Sequence, residues 1–161
     1  MSNQHVSRLI QVRLEREAAK EAIETCAKHV LSSPSLYDSD AKAFQRAADN
    51  AEKTYYFRLT AELEGMLFRH LRDYHPDFTF DPDDGAARLV NHCRHRLNPQ
   101  KRDRIPNDLA DDVMQAIRWR NHLVHGERSV PSNPVSFNEA FRFVHDLVLL
   151  LPPMKGSHGG R

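Results

Sequence analysis

Residues 136–151 read SFNEAFRFVHDLVLLL. Phe137, Ala140, Phe141, Val144, Leu147, Val148 and Leu151 recur at three and four residues, the period of one α-helical face. Ser136 and Glu139 have the spacing of a capping box, so the helix is expected to start there. Pro152 and Pro153 end it. A strand would alternate apolar and polar residues, and no stretch of the chain does so at any length. The expected fold class is therefore all-α.

The preceding segment extends this reading. Pro106 suits a first helical turn, and Asp108, Asp111 and Asp112 follow where the helix dipole favours acids. Leu109, Val113, Ile117, Arg120 and Val124 form its stripe, and Gly126 is a natural stop. A shorter helix is expected from about Asp83 to Leu97, with Ala86, Leu89, Val90 and Cys93 inward and Asn98-Pro99 closing it. A long one is expected from about Asp40 to Tyr74, with Tyr56, Leu59, Leu63, Met66, Leu67, His70 and Tyr74 on one face. The first runs from about Gln4 to Leu31, and its stripe is read through Val6, Ile10, Leu14, Ala19, Ile23 and Val30. Together they predict an antiparallel helical bundle of about five helices in one domain, residues 1–151, followed by a flexible C-terminal tail, 152–161.

Composition bounds the function. The chain has 161 residues, one domain's worth, and 23 basic against 22 acidic side chains give a net charge of +1. That balance excludes a strongly basic protein that coats polyanions, though not a local basic patch. No apolar run approaches the ~20 residues of a membrane span, so no membrane partner is expected. Cys26 and Cys93 lie far apart and form no C-x-x-C, which argues against a disulfide framework. The start, Ser2 to His5, is polar, and a cytoplasmic location is expected.

The chemistry concentrates in residues 118–126, RWRNHLVHG. At 100° per residue Arg120 falls on the apolar stripe, Asn121 borders it, and His125 lies one turn beyond Asn121 on the same side. A guanidinium on an inward face needs a partner, because burying an unpaired charge is costly. Arg can hold a phosphodiester and stabilise charge on a pentacoordinate phosphorus. His can move a proton to or from a 2′-hydroxyl or a leaving oxygen. The competing reading is an interhelical ion pair at Arg120, with Asn121 and His125 merely closing the helix.

Arg120-Asn121-x-x-x-His125 resembles the defining motif of the HEPN superfamily: Arg, four to six residues, then His, often with a polar residue directly after the Arg. The string Arg-Asn-His-Leu-Val-His-Gly looks like the version seen in many prokaryotic members. Size and helix order agree with it, since the motif comes late and one more apolar helix follows. Arg118 also meets the spacing to His125 but lacks the polar neighbour and sits off the stripe.

The resemblance implies a metal-independent endoribonuclease without a cofactor, acting as a homodimer whose two motifs face one cleft. His125 would do acid–base work on the 2′-hydroxyl, Arg120 would hold the phosphate and Asn121 would orient it. Products would carry 2′,3′-cyclic phosphate and 5′-hydroxyl ends. Many such proteins are toxins or phage-defence effectors, some with a cognate antitoxin protein. Others are non-catalytic modules that bind an antitoxin partner or a nucleotide. A helical adaptor or regulator is the reading from outside the family.

Further residues are assigned around this motif. Glu52 and Glu62 are the carboxylates expected to fix Arg120, and His122 is a supporting candidate. Lys101, Arg102 and Arg104, with Arg118, are candidates for the RNA backbone; a solvated basic loop is the plainer reading. Tyr55, Tyr56 and Phe57 must face at least two directions, one of them the core. Trp119 is expected at a rim or an interface. His92, Cys93 and His95 do not share a helical face, so no metal is expected there. His70 reads as a satisfied core histidine.

Overall fold

The computed structural model describes residues 4–32, 38–75, 77–79, 81, 85–94, 105–126, 131 and 133–152. Among them the chain is all-helical: α1 (Gln4–Leu31), α2 (Asp38–Tyr74), α3 (Ala86–Arg94), α4 (Asn107–His125) and α5 (Phe137–Leu150). No described helix is long and apolar enough to cross a membrane. The tail beyond Pro152, the end expected for α3 and the basic residues Lys101, Arg102 and Arg104 lie outside the described residues.

The ends follow local chemistry. The capping box at α5 is formed: the Glu139 N–H donates to Ser136 Oγ at 3.3 Å, and the Ser136 N–H donates to Glu139 Oε2 at 2.9 Å. At α4 the Pro106 carbonyl accepts from Ala110, and Gly126 closes the helix at φ 59°, a conformation that favours glycine. α3 starts at Ala86, later than expected, because the Gly85 carbonyl already takes the N–H groups of Arg88 and Leu89.

α2 is the central element and packs on each of the other four helices. Leu59, Leu63, Met66, Leu67 and Leu71 are fully buried along it. α5 contributes the whole stripe read from its sequence, and α3 contributes Leu89, Val90 and Cys93. Arg8 lies 3.9 Å from Glu62, while Arg16 lies 2.8 Å from Glu52, so α1 runs against α2. Arg13 over Phe141 and Arg16 over Phe137 show the same opposed direction for α1 and α5.

Two stripes differ from expectation. In α1 the inward face is His5, Leu9, Val12 and Arg16, whereas Ile10 is 37% and Leu14 59% exposed. The polar residues His5 and Arg16 hold inward positions, which hides the true face from a reading of apolar spacing alone. In α4 the inward residues are Ala110, Val113, Ala116 and Ile117, and Val124 is exposed. Past Arg16 in α1 and before Tyr56 in α2 no described residue is fully buried.

His70 is buried as expected, but it is not satisfied. Neither ring nitrogen has a hydrogen-bond partner among the described residues. The ring stacks on Tyr74 at 5.1 Å and meets His75 at 5.7 Å. Burial, then the neighbouring His75, lowers its pKa to about 4, so it is neutral near pH 7.

Candidate active site

The last two turns of α4 carry the motif to the surface of the core. Ile117, one turn earlier, is buried and anchors the helix, so Arg120 leaves the core at its edge. The Arg120 guanidinium lies over the Phe57 ring at 4.5 Å, an arrangement in which the ring face attracts the cation. Its Nη1 donates to Asn121 Oδ1 at 2.8 Å. Its Nε is buried, and among the described residues it has no hydrogen-bond partner and no carboxylate pairs with the guanidinium.

Arg120 and Asn121 border a cavity of about 110 Å³. Opposite them stand Thr60 and Glu64 of α2 and the start of α3, Gly85 to Ala87. The first N–H groups of a helix lack intrahelical acceptors and carry partial positive charge. The Thr60 hydroxyl is turned away, donating to the Phe57 carbonyl at 2.8 Å. Glu64 is the one carboxylate among the described residues that border this cavity.

The other expected site residues fall as follows. His125 is exposed on the last turn of α4 and does not border the cavity. The rise of one turn, about 6 Å, separates it from Asn121. One chain thus joins Arg120 to Asn121 but leaves His125 outside the cavity. The ring of His122 lies 5.3 Å from that of Trp119, and its Nδ1 is buried without a partner. Arg118 is exposed.

Glu52 and Glu62 do not serve Arg120. Both Glu52 oxygens accept from Arg16, at 2.8 and 3.0 Å, and Glu62 faces Arg8. The cause is the face of α2 that each occupies. Positions 52 and 62 look toward α1, while Phe57, Thr60 and Glu64 look toward α3 and α4. The sequence reading missed Glu64 and the role of Phe57. Their spacing of three and four residues along α2, with an aromatic, a hydroxyl and a carboxylate in line, was the available signal.

The side chains of His92 and Cys93 pack into the fold. The His92 ring packs edge-on against Phe78 at 5.2 Å. Cys93 is fully buried, which pushes its thiol up to about 12 and makes it unreactive. His95 lies outside the described residues. No group of three or more ligating side chains is assembled among the described residues.

Compared with known proteins, the chain matches no family model, no curated protein and no solved structure.

Proposed function

We propose that this chain is an endoribonuclease of HEPN type, an antiparallel helical bundle that works as a homodimer in a toxin–antitoxin or phage-defence setting. The observation that carries the reading is the Arg120 guanidinium. It is stacked on Phe57 and held by Asn121, and among the described residues its buried Nε has no hydrogen-bond partner and no carboxylate forms an ion pair with it. Such a group has unused capacity for an anion. The start of α3 adds partial positive charge to the same cavity.

In this reading Arg120 holds the scissile phosphate and Asn121 keeps the guanidinium in plane with it. The RNA 2′-oxygen forms a bond to phosphorus, and its proton passes to a histidine. The bond from phosphorus to the 5′-oxygen breaks, and that oxygen takes up a proton. The products are a 2′,3′-cyclic phosphate and a 5′-hydroxyl. Because His125 stands outside the Arg120 cavity, a second copy across the cleft completes the set of acid and base.

A second reading draws on the same fact. The separation of His125 from the Arg120 cavity also fits a module that binds a nucleotide or an antitoxin partner without cutting. End-group analysis of labelled total RNA, incubated with purified protein in EDTA, separates the two. Cyclic-phosphate ends establish the ribonuclease. Intact RNA retained by a well-folded dimer establishes the binding module.

A further inference from the structure

The run Tyr55-Tyr56-Phe57 leaves one of its three rings outside the fold. Tyr56 enters the core and Tyr55 packs against it half-buried, whereas Phe57 is 44% exposed. We propose that Phe57 is a stacking platform for an unpaired nucleobase beside the phosphate at Arg120, so that single-stranded RNA is the substrate class; this rests on the ribonuclease reading of Arg120.

A solitary exposed apolar side chain carries no meaning by itself. The position of this one does. Arg120 lays its guanidinium over the ring at 4.5 Å. The Phe57 carbonyl accepts from the Thr60 hydroxyl at 2.8 Å, and Tyr56 and Thr60 are buried on either side, so the ring is carried on an anchored stretch of α2. Among the described residues Phe57 and Val124 are the exposed large apolar side chains of α2 and α4. Val124 is 43% exposed and stands one turn after Arg120 on the same side of α4. The large apolar groups that these two helices show to solvent thus flank the guanidinium.

The occupant follows from covalent chemistry. A nucleobase is joined to its phosphate through a single sugar. A phosphate at the Arg120 guanidinium therefore brings a base within reach of the ring beneath that guanidinium. Every base has a flat π face, and stacking it on an aromatic side chain takes apolar surface of both out of water. In a duplex those faces are covered by neighbouring bases, so only an unpaired residue can offer one. The phenyl ring has no hydrogen-bonding group, so the contact tolerates any base.

The test is binding, read by fluorescence anisotropy of short end-labelled strands in EDTA. The probe is a single strand of mixed sequence whose 2′-hydroxyls are replaced by fluorine, which removes the nucleophile and prevents cleavage. It is compared with its duplex and with a baseless strand of the same phosphate count. The single strand is expected to bind about tenfold more tightly than either. Phe57→Leu is expected to remove that preference and to leave the Kd of the baseless strand unchanged. Phe57→Tyr keeps a ring and is expected to retain the preference. Equal binding of all three probes by the wild type overturns the stack and leaves the phosphate reading standing. No binding of any probe overturns both. A Phe57→Leu variant that weakens the baseless strand as much as the single strand overturns the proposal, since the ring then acts only by holding Arg120. A Phe57→Leu variant that sediments as a monomer where the wild type is a dimer overturns it in favour of a contact between copies.

Discussion

Arg16 and Arg120 each lay a guanidinium over a phenylalanine ring, at 4.4 Å on Phe137 and 4.5 Å on Phe57. Their other partners differ. Arg16 is 8% exposed and gives two hydrogen bonds to Glu52 and one to Glu17. It ties α1 to α2 and to the start of α5, and its charge is answered within the chain. Arg120 has Asn121 and a ring, and its buried Nε is left over. A charge that the chain answers is architecture. A charge that the chain only positions is available to something else. By this contrast Arg16 forms an interhelical ion pair of the kind weighed for Arg120, and the phosphate-holding role is what we propose for Arg120.

The comparison can be broken at several points. The largest effect is expected at His125, on the last turn of α4. His125→Ala should slow RNA cleavage by about 10²–10⁴ and leave the melting temperature in place, since His125 is exposed. Rate and melting curves of the same preparation check this.

A third buried polar group falls between the two arginines. Neither ring nitrogen of His70 has a hydrogen-bond partner among the described residues, and it stays neutral near pH 7. The charges that bear on it are His75 and His5, which lower its pKa, and Asp73, which raises it. Its folded pKa of about 4 lies below the ordinary 6.5. The unfolded chain therefore binds the proton first as pH falls. Stability is intact above pH 6.5 and declines toward pH 4, by about 3 kcal/mol at most. Urea unfolding from pH 7 to pH 4 measures it, and His70→Leu should flatten the slope.

Next is Arg16→Ala, expected to cost about 2 kcal/mol. Glu52 is 40% exposed, so the loss is below that of a fully buried pair. Arg16→Lys should recover less than half, because an ammonium cannot reproduce the two-pronged bond. Urea midpoints of both variants decide this. The smallest effect belongs to Ser136→Ala, which removes the α5 cap at about 1 kcal/mol and should leave RNA cleavage unchanged. Unfolding and cleavage assays on that variant provide the control.

The fold was most legible where inward positions are apolar. Every stripe residue of α5 is buried, and its capping box is formed. α1 was misread because His5 and Arg16 occupy inward positions, while Ile10 and Leu14 face outward. Periodicity finds a face only when the buried residues look apolar, and an arginine paired across helices does not. The same limit acted at the site. Arg120 and Asn121 are neighbours on one helix, so their meeting was legible. Phe57 meets Arg120, and Glu64 shares its cavity, only through the rotation of α2 against α4; the spacing along α2 marks their common face but not the helix it meets. The Tyr55–Phe57 run split as its length requires, with Tyr56 buried and Phe57 exposed beneath Arg120.

The most direct test of the contrast is Arg120→Ala, measured for both unfolding and cleavage of labelled RNA in EDTA. The account predicts a loss of under about 1 kcal/mol in stability, since only a stack and one hydrogen bond disappear. It predicts cleavage slower by at least about a hundredfold. A variant that unfolds as readily as Arg16→Ala, or one that cuts RNA at the wild-type rate, would contradict it.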